Sequence, residues 1–193
     1  MNGTWRGLEN LDDDFDRLIP NGLRHLSSLH WTPARVAVRV AGLLRATANT
    51  CVLDVGAGVG KVCTIGALSG HGTWIGVEQH RVLVDSARTL ARRLDVSHRT
   101  SFVIADAFAL DWNDFDVLYF YNPFELKLFG TETSGRVAAV QRRLENLPDF
   151  TRVVTLRGFG GVMPASFELI YHELVPFTGL DLALWSQRRR RAW

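Results

Sequence analysis

The segment Val52-Leu53-Asp54-Val55-Gly56-Ala57-Gly58-Val59-Gly60-Lys61 constrains the fold more than any other part of the chain. Residues 51–55 form a short apolar run with strand character, and a helical pattern follows to about Leu68. The glycines between them let the backbone turn sharply and let a ligand lie directly against it. Three nucleotide-binding patterns compete for such a loop. A phosphate-binding Walker loop needs glycine where this chain has Val55, and serine or threonine where it has Val62. The dinucleotide fingerprint G-x-G-x-x-G needs a third glycine where this chain has Lys61. What remains is G-x-G-x-G preceded by an acid, Asp54, at the end of a strand.

Apolar runs and helical patterns alternate from residue 33 onward. Strands are expected at 51–55, 73–77, 101–105, 115–121 and 152–156. A helix is expected at 81–94, with Leu83, Val84, Ala87, Leu90, Ala91 and Leu94 on one face. Another is expected at 133–144, with Val137, Val140 and Leu144 on its apolar side. Two further strands, 167–174 and 180–186, are joined through Pro176-Phe177-Thr178-Gly179, which leaves no room for a crossover helix. The pattern predicts an α/β domain: a mostly parallel sheet with a C-terminal antiparallel hairpin and helices on both faces.

A chain of 193 residues, 47% of them hydrophobic, suits one domain and leaves no room for a separate substrate domain. The expected organisation is an N-terminal helical extension (1–29), the main domain (30–187) and a basic tail (188–193). Within the extension, 10–19 reads as an acidic helix carrying Asp12, Asp13, Asp14 and Asp16. Thr32-Pro33 reads as a helix start, threonine at the cap and proline at the first helical position, with the helix running to about Arg45.

The net charge is +2, and Arg188, Arg189, Arg190 and Arg191 supply four positive charges at one end. Without them the chain is slightly acidic, so the basic signal reads as a solvated tail and nucleic acid is not an expected partner. Cys51 and Cys63 have no metal spacing and read as small buried hydrophobes in a reducing compartment. The six histidines show no metal spacing either, and no metal site is expected. With no basic start and apolar run at the N-terminus and no apolar stretch of about 18 residues, a soluble cytoplasmic protein with no membrane partner is expected.

The D-x-G-x-G-x-G loop in this layout resembles that of the class I S-adenosylmethionine-dependent methyltransferases, over about residues 30–186. The resemblance implies a Rossmann-like methyltransferase sheet with S-adenosylmethionine as cofactor. It implies that Asp54 lies near the methionine amino group and that Gly56, Gly58 and Gly60 line the cofactor. Glu78, in Gly76-Val77-Glu78-Gln79, would take both ribose hydroxyls with Gln79 beside it. An ionised carboxylate is acceptor-only, which suits that task. Asp106, in Ile104-Ala105-Asp106-Ala107, would contact the adenine amino group with Ala107 next to it. All these acids fall at carboxyl ends of successive expected strands, where open α/β sheets bind ligands.

Tyr121-Asn122-Pro123-Phe124 resembles the Asn/Asp-Pro-Pro-Tyr/Phe motif of methyltransferases acting on amide or amino nitrogens, with one proline and the aromatic one place earlier. The resemblance implies that Asn122, Pro123 and Phe124 orient the acceptor, with Asn122 also beside the cofactor. Small stand-alone bacterial methyltransferases share this element and His30-Trp31-Thr32-Pro33, implying a cofactor contact from His30 or Thr32. The implied function is methylation of a nitrogen or oxygen on a small molecule or protein side chain, the acceptor itself unknown. The alternatives are a nicotinamide-dependent oxidoreductase and a non-catalytic nucleotide-binding module on the same fold.

Overall fold

A computed structural model describes residues 11–121 and 133–189. Near-continuous apolar runs form the centre of the sheet. β1 (Cys51–Val55) and β4 (Val117–Tyr121) are buried along almost their whole length, as strands covered on both faces must be. β2 (Thr73–Glu78) and β3 (Thr100–Ile104) extend the sheet on one side of β1. β5 (Arg152–Leu156), β7 (Leu180–Gln187) and β6 (Phe167–Val175) extend it on the other, giving the order β3-β2-β1-β4-β5-β7-β6. β1 to β5 pair in parallel; β7 is antiparallel to both β5 and β6. The expected mostly parallel sheet with a terminal hairpin is therefore present.

Four helices cover one face: α1 (Leu11–Arg17), α3 (Ala34–Leu44), α4 (Lys61–Leu68) and α5 (Arg81–Arg93). α2 is a single turn, Ser27–His30. α3 turns Val36, Ala37, Val40 and Leu44 inward, and α5 turns Val84, Ala87, Leu90 and Ala91 inward, at the spacing of amphipathic helices. α6 (Thr133–Glu145) lies on the opposite face, where Val140 and Leu144 join Trp112, Phe120 and Phe159. No helix among the described residues is long and apolar enough to cross a membrane.

Several boundaries depart from the sequence expectations. β4 begins at Val117, not 115. Asp116 is drawn into a strand-end turn where its carboxylate accepts from the Cys51 amide at 2.8 Å and its carbonyl accepts from the Arg152 amide at 2.9 Å. Thr32 does not cap α3, and Pro33, not Thr32, holds the cap position. The Thr32 hydroxyl shares a hydrogen bond with the Tyr119 hydroxyl at 2.8 Å, while the Ala34 amide donates to Asp12 Oδ1 at 2.6 Å. The orphan amide of a helix start is thus satisfied from a distant helix, not from the neighbouring residue. β6 shifts register between Leu169 and Tyr171, a bulge that the alternation of its residues does not signal.

Gly66 in α4 lets the helix lie flat on β2. A Cβ there would stand 2.3–2.5 Å from the Trp74 ring, which is fully buried and held by its indole N–H donating to the His71 carbonyl at 3.1 Å. Gly66→Ala gains about 1 kcal/mol of helix propensity. It overpacks a ring that has nowhere to go, so a net loss of about 1–3 kcal/mol is expected in urea unfolding.

Candidate functional site

The parallel strands all end at one edge, and the order reverses between β1 and β4, which opens a crevice there. The glycine loop leaves β1 at this edge. The Gly56 and Ala57 amides both donate to the Val77 carbonyl at 3.0 Å, folding the loop over the end of β2. Gly58 and Gly60 have φ of +55° and +75°, conformations open to glycine. A Cβ on Gly58 would stand 3.2 Å from the Trp31 indole; on Gly60 it would stand 2.5 Å from the Phe102 ring and 2.9 Å from the Ala87 Cβ. These two glycines therefore make room for protein. Gly56 is exposed.

Glu78, the last residue of β2, ties the loop down. Its Oε2 accepts from the Gly58 amide at 3.1 Å and its Oε1 from the His80 amide at 2.9 Å. Gln79 beside it is exposed. Asp54, on β1, is only 3% exposed and pairs in register with Gly76 and Tyr119. Burial pushes its carboxyl up to about 7 and the nearby Glu78 charge adds to this, while a thiol hydrogen bond from Cys63 at 3.7 Å opposes it. Cys63, expected as a plain hydrophobe, is thus a donor to this carboxylate. Its own thiol is raised, first by burial.

Asp106 lies just past β3. Its Oδ1 accepts from the Phe108 amide at 3.0 Å, and its Oδ2 pairs with Arg136 of α6 at 2.8 Å. Partial burial raises its carboxyl, but the Arg136 hydrogen bond and the Phe108 amide outweigh this and hold it below the usual range. Asp106 therefore already caps a turn and bridges to α6, roles that an adenine contact would have to share. Ala107 is buried among the Trp112 cluster. Of the N-terminal pair, Thr32 bonds Tyr119, whereas His30 Nδ1 is buried with no hydrogen-bond partner among the described residues. Asn122, Pro123 and Phe124 lie outside the described residues.

Sequence reasoning missed Tyr119, Arg136, Lys61, Asp12 and Asp16. The one available signal was the i, i+4 spacing of Asp12 and Asp16 on a helix, opposite a lone lysine in an apolar stretch. Clefts of about 630 and 370 Å³ lie elsewhere, between α6 and residues 107–113 and at the amino-terminal edge of β1, β4 and β5. No expected site residue lines either, and the carboxyl-edge crevice is where the acids gather. No group of three or more His, Cys, Asp or Glu among the described residues could hold a metal.

This arrangement is that of a class I methyltransferase. The chain belongs to the methyltransferase-domain family, whose match spans residues 46–148, just over half of the sequence. No curated protein matches it in sequence. Its fold is similar to that of an RNA methyltransferase from Salinibacter ruber solved with S-adenosyl-L-homocysteine, at 21% identity and a TM-score of 0.65, covering 84% of this chain and 96% of that one. It is also similar to magnesium protoporphyrin IX methyltransferase from Synechocystis solved with S-adenosylmethionine, at 13% identity and a TM-score of 0.63, covering 95% and 100%. An S-adenosylmethionine-dependent O-methyltransferase from Thermotoga maritima shares 14% identity and a TM-score of 0.58, covering 90% and 74%.

The raised Asp54 carboxyl has a consequence for stability. An unfolded aspartate titrates near 4, so between about pH 4 and 7 the folded chain holds a proton that the unfolded chain has lost. The stability this gives is full below pH 4 and is lost as pH rises through 7, a penalty of at most about 4 kcal/mol. Asp54→Asn removes the ionisation. Scanning calorimetry of the ligand-free protein should therefore give a variant-minus-wild-type Tm difference several degrees larger at pH 8 than at pH 5. Equal differences at the two pH values would mean that Asp54 ionises freely.

Proposed function

We propose that this chain transfers the methyl group of S-adenosylmethionine to a nitrogen or oxygen of a small molecule or a protein side chain. The observation that carries the donor assignment is the pair of carboxylates flanking the glycine loop. Each oxygen of Glu78 accepts one backbone amide and keeps a lone pair for a further donor, the requirement for taking two ribose hydroxyls. Asp54 is a buried carboxyl whose hydrogen-bond donor is a thiol. A cationic amino group beside it would lower its pKa and relieve the cost of its ionisation. The buried His30 Nδ1 offers a further polar contact.

When bound, S-adenosylmethionine supplies a methyl group on a cationic sulfur; its transfer leaves the neutral thioether, and the acceptor heteroatom gives up a proton. The sulfonium is already activated, so this chain's contribution is to hold the acceptor in line with the methyl carbon. Asn122 would orient an acceptor NH₂ through its side-chain amide, with Pro123 fixing the turn and Phe124 stacking on the plane. A small molecule or protein side chain is favoured over nucleic acid because the described arginines of the tail, Arg188 and Arg189, follow β7 at the edge opposite the glycine loop. A nicotinamide reading is disfavoured by Lys61, which fills the third-glycine position with a buried, ion-paired side chain.

Glu78→Ala should weaken S-adenosylmethionine binding by about 2–4 kcal/mol, roughly 30- to 800-fold, through lost charge-assisted hydrogen bonds. Isothermal calorimetry measures this directly, and unchanged affinity would move the ribose elsewhere.

Asn122→Ala should keep donor affinity within about threefold and slow methyl transfer by about 100-fold or more, because an orienting hydrogen bond acts mainly in the transition state. A labelled-methyl screen of cell extract supplies the acceptor for this measurement. Wild-type turnover by the variant would make Asn122 a turn residue only.

A further inference from the structure

Lys61 is the first residue of α4, directly after Gly60, and is 2% exposed. Its ammonium donates to Asp12 Oδ1 and to Ser27 Oγ, both at 2.9 Å, and forms an ion pair, without hydrogen-bond geometry, with Asp16 Oδ1 at 3.0 Å. It also sits 5.6 Å over the Phe15 ring. Asp12 and Asp16 lie one turn apart on α1, so a single charge grips one face of that helix. Ser27 begins α2, and Asp12 Oδ1 also accepts the first amide of α3. One buried cation therefore gathers the starts or faces of α1, α2 and α3 at the root of the glycine loop.

The chain between α2 and α3 is thereby held at both ends. Its Trp31 indole occupies the side of Gly58 where a Cβ would stand, and its Thr32 bonds Tyr119, the register partner of Asp54. The Gly58 amide is in turn held by Glu78. A continuous path of contacts runs from the ammonium through α1 and α2 to Trp31, then to Gly58 and Glu78.

We propose that Lys61 is a positioning residue for donor binding: its buried ammonium pins the N-terminal helices and so sets Trp31 against Gly58 as a wall of the donor site. This rests on the S-adenosylmethionine reading above. Removing the cation leaves Asp12 and Asp16 as uncompensated charges beside an apolar core, which drives α1 outward toward water. Trp31 then loses its support while the sheet and the carboxylates stay in place.

The test compares wild type, Lys61→Met, Trp31→Ala and the double variant. S-adenosylmethionine affinity is read by calorimetry, and amide exchange over residues 11–33 with and without S-adenosylhomocysteine. Lys61→Met should weaken donor binding at least tenfold and speed exchange across 11–33. The double variant should be no weaker than the poorer single variant by more than about twofold, because both changes remove one wall. Affinity within twofold of wild type in Lys61→Met overturns the proposal. So does a weakened Lys61→Met that keeps wild-type exchange protection, or full additivity in the double variant. If Lys61→Met fails to fold, Asp16→Asn takes the same readings, with at least threefold weaker binding expected and unchanged binding overturning the proposal. Wild-type protein that binds no S-adenosylmethionine would sink the donor reading. Unchanged exchange over 11–33 in Lys61→Met would separately sink the pinning.

Discussion

The glycine loop turns back over β2 because two amides, those of Gly56 and Ala57, share the single carbonyl of Val77, and the next residue, Glu78, takes the amide of Gly58. The loop is thus built on the end of its neighbouring strand. Its position depends on the parallel register that sets Val55 opposite Val77. That register follows from burial on both faces, since slipping by one residue would exchange the side chains that meet each face. Core packing therefore places the loop, and the carboxylate that ends β2 is fixed in the same step.

The same step brings two acids close together in a poorly solvated place. Burial raises the Asp54 carboxyl and the nearby Glu78 charge adds to this, so Asp54 holds its proton well above the range of an exposed carboxyl. Glu78 accepts two backbone amides. Against partial burial, Asp106 is held below the usual carboxylate range by its Arg136 partner and the Phe108 amide. The three acids that look alike in the sequence have three different electrostatic settings. Asp54 is the one whose setting a cation would improve.

The strands are legible in the sequence because the central ones are apolar along their length and each is followed by a turn or helix signal. The acids were legible because they sit at strand ends, where local pattern and topology coincide. The contacts that fix the site were not legible, because they join residues far apart in the chain. Thr32 illustrates the limit. Its neighbours satisfy a local capping rule, yet its hydroxyl goes to Tyr119, 87 residues away, and the helix start goes to Asp12. Lys61 is similar: a lysine after a glycine loop reads as a missing glycine until the acids of α1 are placed beside it. Only the fold reveals that Phe102 fills the space beside the missing Cβ of Gly60.

The antiparallel hairpin completes a division of the two sheet edges. Leu156, the last residue of β5, pairs with Leu182, and Arg152, its first, pairs with Ser186. The hairpin tip therefore lies at the same edge as the glycine loop, and the chain leaves β7 at the other. At the tip Phe177 is 98% exposed, so the loop edge carries an apolar side chain. Arg188 anchors its amide to Ser166 at the opposite edge. A five-residue strand spans about 16 Å at roughly 3.3 Å per residue. The Debye length at physiological salt is about 8 Å. Charge at the root of the tail is thus largely screened from the loop edge. The net positive charge of the whole chain consequently describes its end, while Asp54, Glu78 and Asp106 lie at the glycine-loop edge with Lys61 and Arg136 as the nearby cations.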